Sequence, residues 1–215
     1  MPGLFIVLEG PDGAGTTTHA ALLAERLESE GHEVVLTMEP TDGEYGKRVR
    51  AALTQGAPRG APTPEELQQL FCADRAEHVT KVIQPAVRAG KIVICDRYVP
   101  STLIYGEASG VSRALLEEWN AGFPAPALLF LLLPPFEAAW KRVEKRDVRD
   151  VFEQEQFQRK VYEGYTRYAA EHSKVRVIDT SKTKEESADL IWGEVRDTLT
   201  PPSPSPVGSI VEGII

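Results

Sequence analysis

Cysteine is nearly missing from this chain. Cys72 and Cys95 are its two, both in apolar surroundings and without C-x-x-C spacing, so neither a disulfide framework nor a zinc site is expected. Two buried, reduced thiols in a reducing, cytoplasmic compartment are the expectation instead. No apolar run approaches the ~20 residues of a membrane-spanning helix. Met1-Pro2-Gly3 leads into a short apolar strand without a basic segment, so no secretory leader is expected. Positive charge is in deficit: 24 lysines and arginines face 32 aspartates and glutamates, a net charge of -8. Duplex affinity comes mainly from phosphate neutralisation by Lys and Arg, so that balance argues against general nucleic-acid binding. A local basic cluster around a small phosphate stays compatible with it.

What is present begins with Leu4-Phe5-Ile6-Val7-Leu8, an apolar run ending in Glu9-Gly10-Pro11-Asp12-Gly13-Ala14-Gly15-Thr16-Thr17-Thr18. A strand that closes in a glycine-rich turn and opens onto a helix aims backbone N–H groups and a helix dipole at one point, which suits a polyphosphate. The pattern G-x-x-x-x-G-K-[ST] wants lysine where this chain has Thr16. Residues 17–27 carry apolar side chains at 20, 23, 24 and 27, the stripe of an amphipathic helix, so the context of the motif is intact. A glycine-rich strand-to-helix turn without a ligand remains the competing reading of this segment alone.

The 215 residues suit one domain with a small insertion or lid, enough to bury roughly 70% of the surface of the unfolded chain. Strand-like runs at 4–9, 33–38, 91–95, 127–133 and 174–179 alternate with helical runs, the signature of a doubly wound five-stranded parallel sheet flanked by helices. The last three runs are almost continuously apolar, as strands covered on both faces are. Thr63-Pro64-Glu65-Glu66 combines an N-cap, a proline at the first helical position and a capping-box glutamate, and predicts a long helix toward Gly90 with a bend at Pro85. Thr183-Lys184-Glu185-Glu186 predicts the last helix, to about residue 199. Two further helices, 136–145 and 152–170, flank a charged segment at 141–150. From Thr200 the composition turns to proline and serine, a spacer before the apolar end of a tail at 200–215.

Asp96-Arg97-Tyr98 follows the third strand directly. Ligands of open parallel sheets bind outside the carboxyl ends of the strands, so residues 9–17 and 96–98 are expected to converge on one crevice. An acid there can hold Mg²⁺ and an arginine can bridge phosphates, while an ordinary surface ion pair is the plain alternative. Phe71, Arg75 and His78 stand at i, i+4 and i+7 and share a helix face; they suit either a base-binding surface or a core phenylalanine beside a solvated charge. Ser101-Thr102-Leu103-Ile104-Tyr105 adds two hydroxyls and a phenol after the Asp-Arg-Tyr turn.

In this order and spacing the chain resembles the thymidylate kinase family of P-loop nucleoside monophosphate kinases. The matching segments are Phe5 to Thr18, Glu39-Pro40-Thr41 with Gly46, Leu70-Phe71 through Arg75 and His78, Asp96-Arg97-Tyr98 with Ser101, Thr102 and Tyr105, and Asp150-Val151-Phe152-Glu153. The resemblance implies a kinase domain over 1–199 with a lid at about 141–151, transfer of the ATP γ-phosphoryl group to dTMP with Mg²⁺, and a homodimer. It implies that Gly10, Pro11, Asp12, Gly13, Ala14, Gly15, Thr16, Thr17 and Thr18 hold the ATP phosphates, with Thr180 and Ser181 near adenine. Thr17, Asp96 and Asp12 would lie at the metal. Asp12, Glu39 and Ser101 would face the acceptor, Glu39 on its sugar side; Phe71 would stack on thymine, Arg75 and Thr102 would meet the base, and Tyr105 would crowd the sugar 2′ position. Arg97 would bridge the two phosphates, joined by Arg142, Arg146 and Arg149 of the lid.

The departures from the family pattern are Thr16 for the lysine, His19 for a glutamine, Met38 for a basic residue and Val151 for an arginine. Lost cations imply weaker phosphate stabilisation or a relocated charge, for which the lid arginines, Arg48 and Arg50 are candidates. Two rivals accompany the kinase reading: a nucleotide-binding protein that does not catalyse, and a kinase for another deoxynucleoside monophosphate. The matched acceptor pocket speaks against the first.

Overall fold

The computed structural model describes residues 3–54, 61–145 and 154–199. The 4–9 run forms β1 (Leu4–Glu9), and the chain continues through α1 (Thr16–Ser29), β2 (Val34–Met38) and α2 (Glu44–Thr54). It then forms α3 (Pro64–His78), a π-helical turn (Val79–Ile83), α4 (Gln84–Arg88) and β3 (Ile92–Asp96). The remaining elements are α5 (Val99–Ala108), α6 (Arg113–Asn120), β4 (Leu128–Leu132), α7 (Phe136–Val143), α8 (Glu155–Glu171), β5 (Arg176–Ile178) and α9 (Lys184–Leu199). All five predicted strands are present, in a parallel sheet of order β2-β3-β1-β4-β5.

Alternation along the strands divides the core. Ile6, Leu8, Ile92, Ile94, Phe130 and Leu132 face α1 and α9, where Leu23, Leu27, Ile191 and Val195 cover them. Phe5, Val7, Val93 and Cys95 point the other way, against Val79, Ile83 and Tyr98. Each such side chain contributes on the order of 1.5–3 kcal/mol by leaving water. Cys95 is buried and Cys72 half-buried, both unpaired, as expected for reduced thiols.

Both capping boxes form. The Thr63 hydroxyl accepts from the Glu66 N–H at 3.2 Å while Glu66 accepts from the Thr63 N–H at 2.8 Å. Thr183 and Glu186 repeat the exchange at 3.2 and 3.1 Å. The predicted long helix is not continuous: the π turn interrupts it just ahead of Pro85, with the Gln84 N–H reaching back to the Val79 carbonyl. A proline cannot donate to the preceding turn, and the widened turn absorbs the misfit. Sequence patterning missed α5 and α6 as helices. In α5, Pro100, Thr102, Ile104, Tyr105 and Gly106 are all buried, so no polar stripe marks it, and α6 has only 8 residues. The lid residues Arg146, Arg149 and Val151, and the tail 200–215, lie outside the described residues.

Candidate active site

The register of the sheet creates the site. Leu8 of β1 pairs with Asp96 of β3, so the loop after β1 and the turn after β3 leave the sheet side by side. Gly13 and Gly15 hold φ of 79° and 93°, a region L side chains rarely adopt. A Cβ on Gly13 would also meet the Ala139 carbonyl oxygen at 2.3 Å. Gly15 is the N-cap of α1, and no side chain caps that end, which leaves its first N–H groups available to an anion. Thr16 is buried, whereas Thr17 and Thr18 are exposed. His19 donates from Nδ1 to the Gly15 carbonyl at 2.8 Å, and its buried Nε2 has no partner among the described residues.

At the strand ends, the Thr17 hydroxyl donates to Asp96 Oδ2 in a short contact. Asp96 Oδ1 is buried and unpartnered among the described residues. A hydroxyl beside an unsatisfied buried carboxylate oxygen is the oxygen-rich donor set that a hard divalent cation takes. Asp12 is placed differently. Its Oδ1 accepts from Arg97 at 2.6 Å and its Oδ2 from Gln158 at 2.5 Å, so both oxygens are engaged. Thr17 and Asp96 therefore fit Mg²⁺ better than Asp12 does.

Arg97 holds the centre. It is the described non-glycine residue with positive φ, 69°, a strained conformation kept at a turn that aims its guanidinium at the loop. That group donates to the Gly10 carbonyl at 2.9 Å and to Ser101 Oγ at 3.1 Å. Beneath it lies Glu9, which the sequence reading did not single out as a site residue. Its carboxylate accepts from the Tyr98 N–H at 2.7 Å, the Ser101 hydroxyl at 2.7 Å and the Tyr165 phenol at 2.8 Å. Burial raises the Glu9 carboxyl above its ordinary range, and Arg97 opposes that shift. Glu9 opens the glycine-rich stretch but was given no role of its own, and Gln158 and Tyr165, from α8 far along the chain, carry no motif signal.

A cavity of about 240 Å³ opens beside Arg97, lined among others by Asp12, Glu39, Phe71, Arg75, Thr102 and Tyr105. These residues come from four separate segments. Arg75 is buried and donates from Nε to Glu39 at 2.9 Å and from Nη2 to Thr102 at 2.9 Å, while Nη1 donates to Asn120 Oδ1. The Tyr98 ring lies 5.0 Å from its guanidinium carbon. Glu39 is occupied on both sides, because His78 Nδ1 contacts its other oxygen at 3.0 Å. His78 Nε2 in turn meets the Thr37 hydroxyl at 2.8 Å. Glu39, His78 and Cys95 also stand close enough to share a metal ion. All three instead have protein partners, Cys95 through a 3.0 Å contact to the Arg97 carbonyl, so they form a polar clamp. Burial pushes the Tyr105 phenol well above its usual range, which keeps it neutral beside Arg97 and Asp12.

A second cavity, about 370 Å³, lies on the far side of the loop, lined by Gly15, Thr18, His19, Arg142, Thr180 and the lysines 182 and 184. Thr180 donates to the Ala14 carbonyl at 2.7 Å and so ties the strand β5 end to the loop. Arg142 donates to the Gly13 carbonyl at 3.0 Å and to the Thr180 carbonyl at 2.7 Å, spanning the two. Ser181 does not line this cavity; its backbone N–H donates to Asp179 at 2.8 Å. Lys182 and Lys184 were not anticipated as site cations; the capping box gave them a complete helical explanation. Arg50 pairs with Asp42 at 2.7 Å and Arg48 lies over Tyr45, and neither lines the two cavities.

Comparison with known proteins agrees with this geometry. The family model described as thymidylate kinase matches residues 8–191. A probable thymidylate kinase of Pyrococcus horikoshii is 42% identical over 202 residues, spanning 93% of this chain and 98% of that protein. A probable thymidylate kinase of Thermococcus kodakarensis is 42% identical over 188 residues, 85% of this chain and 92% of its own. A thymidylate kinase of a Synechococcus species is 40% identical over 202 residues, 91% and 96% respectively. Across nearly its whole described length, then, from the loop after β1 to α9, the chain belongs to the thymidylate kinase family.

Proposed function

We propose that the protein transfers the γ-phosphoryl group of ATP to dTMP, giving dTDP and ADP. The observation that carries this reading is Arg97, one guanidinium that touches the phosphate loop at Gly10 and lines the acceptor cavity. A cation between the two anions offsets their repulsion and neutralises charge that spreads over the transferring group. Catalysis of this kind is positioning plus electrostatics. The loop amides of residues 10–18 bind the donor phosphates, Phe71 offers a stacking face, and Arg75 and Thr102 supply base contacts. Ser101 orients Arg97, and Tyr105 crowds the sugar. Glu39 acts on the acceptor through Arg75, which it orients from within the clamp. Asp12 fixes Arg97 against the acceptor side. Mg²⁺, held by Thr17 and Asp96 with Asp12 nearby, would supply further neutralisation of the donor phosphates.

We also propose a homodimer and a cytoplasmic setting, both by likeness to the family; among the described residues no helix is long and apolar enough to cross a membrane. The test of the activity is ADP release with MgATP and a panel of nucleoside monophosphates. Turnover selective for dTMP is expected. Equal or better turnover with another deoxynucleoside monophosphate would reassign the acceptor, and none with any would favour the binding-protein reading.

A further inference from the structure

Gln68 lies on α3 one turn before Phe71 and two turns before Arg75, on the same face, and lines the acceptor cavity with them. Its side chain is fully buried, yet neither the amide nitrogen nor the amide oxygen has a hydrogen-bond partner among the described residues. A buried carboxamide without partners destabilises the folded chain, and one kept on the wall of a cavity is suited to a ligand that satisfies it. Room for the side chain is provided by Gly106 of α5, where a Cβ would come within 3.2 Å of Gln68 Cγ.

Building on the dTMP reading, we propose that Gln68 reads the imide edge of the acceptor base: its Oε1 accepts from the ring N3–H and its Nε2 donates to an adjoining ring carbonyl. No other of these wall groups presents a donor and an acceptor side by side in one planar head. Arg75 only donates. Both oxygens of Glu39 are held by Arg75 and His78, and the Thr102 hydroxyl, which accepts from Arg75, keeps its O–H to donate to a ring carbonyl and leaves the ring N3–H to Gln68. Tyr98 has the remaining unpartnered hydroxyl near Arg75, a single point where the imide presents two. A carboxamide alone would fit cytosine equally well after turning over, so Gln68 supplies affinity while the donor-only Arg75 disfavours the amino group of cytosine.

The experiment measures steady-state kinetics and calorimetric binding for the parent, Gln68→Leu, Gln68→Ala and Tyr98→Phe, with dTMP and with its N3-methyl derivative. Gln68→Leu should raise KM for dTMP about tenfold with kcat within about twofold, as expected for a lost ground-state contact. N3-methylation should weaken binding about tenfold or more in the parent and far less in Gln68→Ala, a coupling that a merely structural residue would not produce. Without ligand, the thermal midpoint of Gln68→Leu should equal or exceed that of the parent, because an unsatisfied amide has been removed. An unchanged KM in Gln68→Leu, methylation penalties that simply add, or the coupling appearing in Tyr98→Phe instead would each overturn the assignment. If Gln68→Leu does not fold, Gln68→Ala and the methylation cycle decide. A parent that binds no dTMP sinks the acceptor reading and Gln68 with it, whereas binding that is indifferent to residue 68 sinks the Gln68 assignment alone.

Discussion

Thr16 occupies the first position of α1, where the phosphate-loop pattern has lysine, and it brings a hydroxyl but no charge. Losing one preorganised electrostatic contact typically costs ~10²–10³ in rate. Arg142 is the described cation best able to offset it. Its guanidinium already spans Gly13 and Thr180 at the mouth of the loop, and a guanidinium binds phosphate through two parallel hydrogen bonds. Thr16→Lys is therefore expected to raise kcat only modestly. Arg142→Ala should lower kcat about 10²-fold or more in the parent and less in the Thr16→Lys background, a coupling that a double-mutant cycle measures. Additive effects would move the compensating role elsewhere, to Lys182, Lys184 or the lid arginines 146 and 149. Ample activity gained by Thr16→Lys alone would mean that nothing compensates.

Among elements, α3 supplies Gln68, Phe71 and Arg75 to the wall of the cavity beside Arg97. Besides Phe71 and Arg75 it carries Asp74, buried, whose carboxylate accepts from the Thr41 N–H at 2.7 Å and the Thr41 hydroxyl at 2.5 Å. This pins the segment after Glu39 against the helix, and Gly46 at the start of α2 packs so closely on Thr41 that a Cβ would lie 1.9 Å from its carbonyl oxygen. Asp74→Ala leaves the part-buried Thr41 N–H unpaired and should cost roughly 1–3 kcal/mol in urea unfolding. Hydrogen exchange should quicken first across 41–46, before the central strands β1 and β3. Simultaneous loss of protection in loop and sheet would show that the clamp has no local role. Removing Arg75 should be harsher, on the order of 3–5 kcal/mol, since Glu39 would remain buried without its cation.

For the molecule as a whole, His19 couples the site to pH. Burial holds its pKa below the ordinary 6.5, with Arg142 and Lys184 pushing the same way and the Gly15 carbonyl opposing. Nδ1–H is committed to that carbonyl, so a second proton would sit on Nε2, buried without an acceptor. The sign follows: above pH 6.5 both folded and unfolded chains carry a neutral imidazole, and the stability is complete. As pH falls through 6.5 toward the folded value the unfolded chain binds a proton that the folded chain refuses, and stability is lost at up to about 1.4 kcal/mol per pH unit. His19→Gln should remove that decline. Parallel stability curves for parent and variant between about pH 8 and pH 5 would exclude the contribution.

The five strand runs, both capping boxes, the glycine-rich loop and the Asp-Arg-Tyr turn were legible in the sequence because each is a local pattern: a run, a period or a fixed spacing that one segment satisfies by itself. Phe71 and Arg75 were legible as a shared helix face, though only as one of two readings until the cavity joined them. Gln68, Asn120, Gln158, Tyr165 and Glu9 were not. Asn120, Gln158, Tyr165 and Glu9 are unremarkable in their own segments and gain their roles from partners 45 to 156 positions away, as Asn120 does from Arg75 and Tyr165 from Glu9, while Gln68 gains its role from the cavity wall it lines. The sequence by itself determined the alternation of strands and helices, the glycine-rich turn after β1 and the missing lysine. Only the tertiary structure decided which carboxylate oxygen and which buried amide have no partner among the described residues and which cation spans Gly13 and Thr180, because hydrogen-bond satisfaction in a low-dielectric interior is a property of assembled neighbours and not of any one stretch of chain.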